Sequence, residues 1–493
     1  MWKLSQFTVV HNLADRDLSS HNLVFNTVSS KGFTVVDSDW QQIVASLKAP
    51  DQAPAAVRRA ITRLTERGFV VPQPRDEAAV WGRDFDRQRH QRRSIYPLLA
   101  VTTACNIGCT YCYEEGVEAE TMSSAVIAGC LGWMERRIIE DGIEEIQAGL
   151  FGGEPLLYPR LLFEIMDGMA DLRRRYGIDV GFYSSSNGML LTDELAAKLA
   201  RKGLTQLQIS LDGPPEIHDQ RRLGKRGQPS FEASLRGLRI AARHIRGVTV
   251  KLNFDRHNRR FAGQVFDLLV DEGLADRVNV KLETIAYQMP GSTVGHDPAH
   301  VIPPDSTELA DAYNQLVLEC QARGIVVSRD TAHTTPCMFS SDHGVILGPD
   351  GAIYKCISLV GRKEFAVGTV FDGEYDRQEY DRQMNTFKRL DECFEEQCPY
   401  VPVCAGGCAY EAITRAGSYE QRHCTKEFLE RYHYLTYLVQ HRDALEALGM
   451  RPLSAVELAA SDRPPPAPSE GLVQIGMPPG RSSRERYREV ESP

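Results

Sequence analysis

Three cysteines fall within one short run, Cys105-Asn106-Ile107-Gly108-Cys109-Thr110-Tyr111-Cys112-Tyr113, at C-x3-C-x2-C spacing. Thiolates this close bind soft metals, and iron–sulfur clusters are commonly held by such local runs. A four-iron cube held by three thiolates keeps one iron for an outside ligand. Structural thiols or a zinc knuckle are the alternative. A second constellation lies far downstream: Cys337, Cys356, Cys393, Cys398, Cys404, Cys408 and Cys424. Its tightest part is Cys398-x5-Cys404-x3-Cys408. Seven thiolates exceed what one cube needs and fall one short of two, and zinc again is the competing metal. Cys130, in an apolar helical context, reads as core. Cys320 reads as part of a helix over 309–323.

The rest of the composition narrows the setting. A chain of 493 residues holds two to four domains. Its net charge of −9 gives no basic footprint, which argues against nucleic acid as a partner. No apolar run is long enough to span a membrane, and Met1-Trp2-Lys3-Leu4 does not open a signal peptide. The expected location is the cytoplasm. There, twelve cysteines argue for metal rather than disulfides.

The elements that must position these thiols can be read in order. Residues 1–76 form a small unit. A hairpin over 22–36 turns at Ser29-Ser30-Lys31-Gly32, Asp37 caps a helix through Leu47, a second helix runs from 53 to 67, and Phe69-Val70-Val71 returns as a strand. That is a winged-helix pattern, or simply a structural cap. Residues 77–93, rich in Arg and Asp, read as a linker. From 94 to 300 strands and helices alternate. Strands fall at 94–103, 145–151, 178–184, 205–211, 248–254 and 277–285, with helices at 123–141, 159–176, 193–202, 231–244 and 261–272. Six such steps imply an α/β fold with a parallel sheet, an open partial (β/α)6 TIM-like barrel whose ligands sit at the C-terminal strand ends. The cysteine loop follows the first strand. Phe151-Gly152-Gly153-Glu154-Pro155 follows the second, Ser184-Ser185-Ser186-Asn187-Gly188 the third, and Ser210-Leu211-Asp212-Gly213-Pro214 the fourth; Asn253 and Asp255 close the fifth. The two glycines would let backbone approach a ligand, and Glu154 could accept from an ammonium. His218 and Asp219 are a possible catalytic pair, though fixing the loop is the favoured reading. Residues 301–453 carry the second cysteine set, a hairpin over 344–354 and an amphipathic helix over 425–447. The Pro-, Ser- and charge-rich stretch 454–493 reads as a disordered tail.

The middle of the chain resembles the radical SAM superfamily, on the C-x3-C-x2-C loop with Tyr111 before its last cysteine and on Gly152-Gly153-Glu154-Pro155. The resemblance implies that Cys105, Cys109 and Cys112 hold a [4Fe–4S] cluster whose free iron is chelated by S-adenosylmethionine. One electron then cleaves a C–S bond to give a 5′-deoxyadenosyl radical. It places Tyr111, Gly152, Gly153, Glu154, Pro155, Ser210, Arg221 and Asn253 around that cofactor, with Arg221 as carboxylate clamp. The downstream cysteines resemble the SPASM extension, which carries two auxiliary [4Fe–4S] clusters. By that resemblance Cys337, Cys356 and Cys408 hold one, and Cys393, Cys398, Cys404 and Cys424 the other. Two departures stand out. The pattern has C-x2-C before the C-x5-C-x3-C run, whereas here position 395 is Glu and the preceding cysteine is Cys393. Cys337 has no close upstream cysteine, so His333, Asp330 or an open iron would complete its cluster.

The expectation is a maturase of a ribosomally made peptide, with residues 1–76 resembling modules that bind a leader peptide as an added strand. It would install a thioether, a C–C or C–O cross-link, or a related oxidative change, and an open auxiliary iron would suit a substrate thiolate. Its partners would be a precursor peptide or protein and a flavodoxin- or ferredoxin-like electron donor. A sulfatase-type or dehydrogenase-subunit maturase is the alternative within the class. A non-catalytic leader-binding or cluster-carrier protein is the alternative outside it. Glu283, Tyr287, Asp342 and His343 are positional candidates for a base.

Overall fold

The computed structural model describes residues 1–287, 289, 297–328, 336–373, 375–385, 387–440 and 442–449. His333, Asp330 and the tail 454–493 lie outside them.

Six parallel strands form the centre: Ser94–Thr102, Glu145–Gly152, Asp179–Ser186, Leu204–Ser210, Gly247–Phe254 and Val278–Thr284. They neighbour one another in chain order. Helices Ser124–Asp141, Pro159–Tyr176, Asp193–Arg201, Phe231–His244 and Ala262–Asp271 connect them. Each begins and ends within about two residues of its predicted bounds, because the local signals are strong. Ser123 caps the first helix by accepting from Val126 N at 3.2 Å, and Thr192 caps the third from Leu195 N at 3.2 Å. The strands' alternation is sharp. Leu99, Val101, Ile146, Leu150, Leu207, Ile209, Val250 and Leu252 face the helices in one large core, and the intervening residues line the inside of the sheet.

The sheet does not stop at six strands. Gly344–Leu347 adds in parallel beside Tyr96–Leu99, followed by antiparallel Ala352–Tyr354 and Gly368–Thr369. At the other edge Val326–Val327 adds to Asn279–Val280. The hairpin over 344–354 was expected, but not its union with the barrel. The cysteine-rich region therefore shares the barrel's own sheet. Cys130 and Cys320 are fully buried core residues of helices, as expected.

At the N-terminus, Thr8–Leu13, Leu18–Asn26 and Lys31–Val36 form an antiparallel sheet. Helices Asp37–Ser46 and Ala55–Glu66 follow, and Val70–Pro72 pairs with Trp2–Leu4. Asp37 does not cap its helix. It is the first helical residue, and its carboxylate accepts from Asn22 Nδ2 at 2.6 Å. The expected linker is also corrected, because Glu77–Arg89 is a helix capped by Asp76. Glu77 is buried and accepts from Ser5 Oγ at 2.6 Å and Gln6 N at 2.8 Å. Trp81 and Phe85, one turn apart, pack with Phe7, Leu390 and Val401. The polar composition hid an apolar stripe two residues wide.

The N-terminal sheet is not free-standing either. Leu13, Leu23 and Phe25 share a core with Tyr400, Leu435 and Leu438. Thr27 Oγ1 donates to Pro399 O at 2.5 Å, beside Cys398. The helix predicted over 425–447 appears as Lys426–Gln440 and Arg442–Ala447. Among the described residues no helix is long and apolar enough to cross a membrane.

Candidate functional site

The cysteine loop leaves the first strand at its C-terminal end and is pinned on two sides. Ile107–Cys109 pairs antiparallel with Arg222–Gly224, so that Cys109 faces Arg222 in register. Thr110 N donates to Arg221 O at 3.0 Å and Lys225 N to Asn106 O at 2.9 Å. This ribbon had no signature in the sequence.

The other side is the glycine stretch. Gly153 N donates to Thr102 O at 2.8 Å and Glu154 N to Ala104 O at 3.0 Å. A Cβ on Gly152, whose φ is +142°, would lie 2.1 Å from Thr102 O. One on Gly153 would lie 2.5 Å from Ala104 O. What the two glycines approach is therefore the backbone leading into the cysteine loop. Glu154 is fully buried. Its oxygens accept from Leu156 N at 2.9 Å, Ser186 Oγ at 2.8 Å and Asn187 N at 2.7 Å, while Pro155 starts a short 3-10 turn. The glutamate thus ties the second strand end to the third. Asn187 Nδ2 carries the tie onward to Asn106 Oδ1 at 2.7 Å.

The fourth and fifth strand ends meet the loop through a buried polar network. Tyr111 Oη donates to Asp212 Oδ2 and receives Arg222 Nη1 at 2.7 Å and Asn253 Nδ2 at 3.2 Å. Asn253 also donates to Asp212 Oδ1 from its N–H at 3.1 Å and from Nδ2 at 3.0 Å. Burial works against both charges. Yet Arg222 and Arg221 hold the Asp212 carboxyl below its ordinary pKa, and Cys109, Tyr111 and Asp212 hold Arg222 above its own. Arg221 is committed to Asp255, with Nη1 2.6 Å from Oδ2, and its guanidinium lies 5.1 Å from the Tyr111 ring centre. The Nε atoms of Arg221 and Arg222 are buried without a hydrogen-bond partner among the described residues. Ser210 is buried at the end of its strand. His218 accepts at Nδ1 from Asp212 N at 3.3 Å, and Asp219 accepts from Ser230 N and Phe231 N at the start of the next helix. Both residues fix the loop. Sequence reading missed Arg222, which adjoins Arg221 but carries no pattern of its own.

Cys105, Cys109 and Cys112 are partly buried. Burial raises all three thiols, Cys105 to about 11 and Cys112 to about 12, so each would arrive protonated and lose its proton to solvent as a metal takes its sulfur. Among the described residues no three His, Cys, Asp or Glu side chains converge on a single ion. A cube does not require convergence, because each of its thiolates holds a different iron. The donor set fits a sulfur-bridged cluster with unsatisfied guanidinium Nε atoms beside it.

The downstream thiols fall into two groups by their mutual electrostatics. Besides burial, Cys408 and Cys337 raise Cys356. Cys404 and Cys424 raise Cys398, and Cys404 and Cys398 raise Cys393. The irregular spacing at Cys393 has a local cause. Cys393 lies in the last turn of the helix Phe387–Glu395, Gln397 takes the left-handed conformation at φ +51°, and Cys398 N returns to Cys393 O at 2.9 Å. Two further residues are spent on the helix end. A Cβ on Gly407 would lie 1.9 Å from His423 O, a close approach that brings the Cys408 and Cys424 segments together. Arg389, buried and also unforeseen, lies within electrostatic reach of the Cys337, Cys408 and Cys404 sulfurs, and its Nη1 has no hydrogen-bond partner among the described residues.

The candidate bases are scattered. Asp342 and His343 stand at the wrong end of the barrel, where His343 O accepts from Tyr96 N at 2.7 Å. From Tyr96 to Thr102 the strand rises roughly 20 Å toward the cysteine loop. There Asp342 accepts from His90 Nδ1 at 2.8 Å, in a cavity of about 410 Å³ also lined by Arg92 and Tyr380. Tyr287 lies under Arg415. Glu283 alone faces the barrel interior, paired with Lys281 at 3.0 Å.

Residues 99–258 match the family model described as the radical SAM superfamily. The chain carries a radical SAM domain. Mycofactocin maturase MftC of Mycobacterium ulcerans is 25% identical over 328 residues, covering 62% of this chain and 81% of the relative. An AdoMet-dependent heme synthase of Oleidesulfovibrio alaskensis is 26% identical over 365 residues, 66% of this chain and 85% of the relative. Among solved structures, anSMEcpe with bound AdoMet aligns at TM-score 0.56 and 15% identity over 71% of this chain and all of its own. Streptococcus suis SuiB bound to S-adenosylmethionine aligns at 0.52 and 11% identity, over 86% of this chain and 99% of its own. The radical SAM family implies a [4Fe–4S] cluster and S-adenosylmethionine, and the fold is its partial barrel.

Proposed function

We propose that this radical SAM protein modifies a ribosomally made peptide or protein. The observation that carries the reading is the joining of three parts in one body: the Cys105–Cys112 loop, two further thiol groups, and an N-terminal sheet packed beside the second group. In this reading Cys105, Cys109 and Cys112 hold the first cluster. Gly152, Gly153, Glu154 and Pro155 fix the loop from one side, and Tyr111, Arg221, Ser210 and Asn253 from the other, close to the cofactor. When bound, cluster and S-adenosylmethionine supply a 5′-deoxyadenosyl radical able to take an unactivated hydrogen. Cys337, Cys356 and Cys408 hold one auxiliary cluster of a SPASM-type extension, and Cys393, Cys398, Cys404 and Cys424 the second. The former keeps an open iron or takes His333 or Asp330, both outside the described residues, as its fourth ligand.

Residues 1–76 act as a winged-helix-like peptide-recognition module. Two solved neighbours support a peptide substrate, anSMEcpe with bound AdoMet and Cp18Cys peptide and SuiB bound to the precursor peptide SuiA. SuiB spans more of this chain than anSMEcpe does, 86% against 71%, which favours a peptide maturase over the sulfatase-type alternative. The product is a cross-link or related oxidative change, with electrons from a flavodoxin- or ferredoxin-like donor in the cytoplasm. The test is anaerobic incubation of the reconstituted protein with S-adenosylmethionine, dithionite and a candidate precursor peptide. Formation of 5′-deoxyadenosine with loss of hydrogen mass from the peptide is expected. 5′-Deoxyadenosine without any peptide that changes mass, across precursors encoded beside the protein, would refute the substrate class.

A further inference from the structure

The inner face of the barrel changes character across the sheet. On the first three strands it is mixed, with Leu98, Ala100 and Tyr183 packed against Ile346 and Tyr354 and the polar Gln147 and Ser185 alongside. On the last three it is polar and charged. Gln208 and Ser210 on the fourth strand, Lys251 and Asn253 on the fifth, and Lys281 and Glu283 on the sixth alternate with the helix-facing core residues. Parallel sheets ordinarily bury apolar side chains on both faces.

The charges here do not balance. Lys251 and Lys281 stand opposite each other in register, a like-charge pair that neighbouring strands normally avoid. Two carboxylates act on Lys251, Glu283 and the Asp212 that Arg222 and Arg221 already share, and Glu283 is 3.0 Å from Lys281. The Lys281 and Glu283 side chains keep 22% and 40% of their surface accessible, so this part of the interior is open. Lys251 is half-buried, and its side chain forms no hydrogen bond or ion pair within the described residues. Burial presses its ammonium below the ordinary lysine pKa against the pull of Glu283. An ammonium without a partner, beside a second lysine and partly out of water, is unfavourable unless an anion joins it.

We infer that Lys251 receives a carboxylate of the peptide being modified, an inference that rests on the peptide-modifying reading above. The seat lies two residues inward from Asn253, roughly 7 Å along the strand from the network that braces the cysteine loop. The strand-end arginines Arg221 and Arg222 already supply cations at the level of the cysteine loop. Lys251 is the cation one layer deeper, where a substrate chain inside the barrel would reach it. The carboxylate is that of an Asp or Glu side chain or of the chain's C-terminus.

Four blocked peptides serve as probes of the cluster-reconstituted full chain with S-adenosylmethionine: Ac-Ala-Glu-Ala-NH2, Ac-Ala-Gln-Ala-NH2, Ac-Ala-Ala-OH and Ac-Ala-Ala-NH2. Their dissociation constants are measured by ligand-observed NMR titration. An acid probe should bind about tenfold or more tightly than its amide counterpart. Preference for the glutamyl probe assigns a side chain, and preference for the free terminus assigns the C-terminal carboxylate. The Lys251→Met variant should lose that preference and Lys251→Arg should keep it, both at wild-type iron content. Equal binding of acid and amide probes to the wild-type protein overturns the inference without any variant. So does a preference that survives Lys251→Met, or a Lys251→Met protein that weakens only S-adenosylmethionine. The same preparation is assayed for 5′-deoxyadenosine with dithionite. Its absence refutes the underlying radical reading, while its presence without acid preference refutes only the role of Lys251.

Discussion

Gly153→Ala offers a sharp test of how the cysteine loop is held. The added Cβ would meet Ala104 O at 2.5 Å, Ala104 C at 2.7 Å and Thr103 O at 2.8 Å, all of them backbone atoms. Ordinary contact needs about 3.5 Å, so the two segments must part by roughly 1 Å. That separation stretches Gly153 N–Thr102 O from 2.8 Å and Glu154 N–Ala104 O from 3.0 Å beyond hydrogen-bonding range. Two buried backbone bonds at about 1 kcal/mol each, with the desolvation left uncompensated, give a loss of about 2–4 kcal/mol. The displaced residues adjoin Cys105, so the same change should lower iron uptake by the loop. Guanidinium unfolding of the metal-free protein, followed by circular dichroism, reads the stability. Gly132→Ala is the control, since its Cβ meets only the far end of Arg136 at 4.0 Å. It lies within the helix Ser124–Asp141 and should gain about 0.5–1 kcal/mol. If Gly153→Ala unfolds within about 0.5 kcal/mol of wild type, the close-approach argument is wrong.

Three further outcomes are expected. His218 and His343 are both buried, and burial lowers each to about 4, so the unfolded chain takes up protons that the fold refuses. Their contribution is intact above the unfolded value near 6.5 and is lost as pH falls toward 4, by roughly 3 kcal/mol for each imidazole. Glu114 and Glu411, pushed up by burial to about 8 and about 7, act in the opposite sense, so the readout is a difference: wild-type unfolding midpoints should fall more steeply below about pH 6 than those of His343→Gln, and parallel profiles down to pH 4 would contradict it. Arg389→Leu removes a buried cation within electrostatic reach of Cys337, Cys408 and Cys404, so redox titration of the reconstituted protein should show auxiliary potentials lower by tens of millivolts, on the order expected for one screened charge; unchanged potentials would place Arg389 elsewhere. In the N-terminal module, Thr34→Pro and Val35→Pro probe the edge strand Lys31–Val36, whose neighbouring N–H groups point in opposite directions. One of the two should keep the fold yet weaken precursor-peptide binding, and full affinity in both would exclude this edge as the docking strand. Removal of residues 1–76 is a poorer probe, because it would uncover Tyr400, Leu435 and Leu438.

Much of this could be read locally. The barrel's strands and helices carry alternating and 3.6-residue patterns, together with Ser and Thr caps, so their limits were legible. The thiols were legible because cysteine is rare and its spacing is chemical. What escaped depends on distance along the chain. Nothing near Gly344 announces that it will pair beside Tyr96, and nothing near Arg222 announces that it will face Cys109. The helix Glu77–Arg89 escaped for another reason: Trp81 and Phe85 are its only large apolar residues, and its surroundings are charged. Gly152 and Gly153 make room for the backbone of Thr102 and Ala104, a close approach that sequence cannot tell from room for a ligand.

The central claim is that Cys105, Cys109 and Cys112 start a radical reaction on S-adenosylmethionine. Its most direct test is chromatographic detection of 5′-deoxyadenosine after anaerobic incubation of the reconstituted protein with S-adenosylmethionine and dithionite. Wild-type protein should form it, and the Cys105→Ala, Cys109→Ala, Cys112→Ala triple variant, retaining the iron of its downstream cysteines, should form none. Product from the triple variant at the wild-type rate, or none from the wild type, would contradict the account.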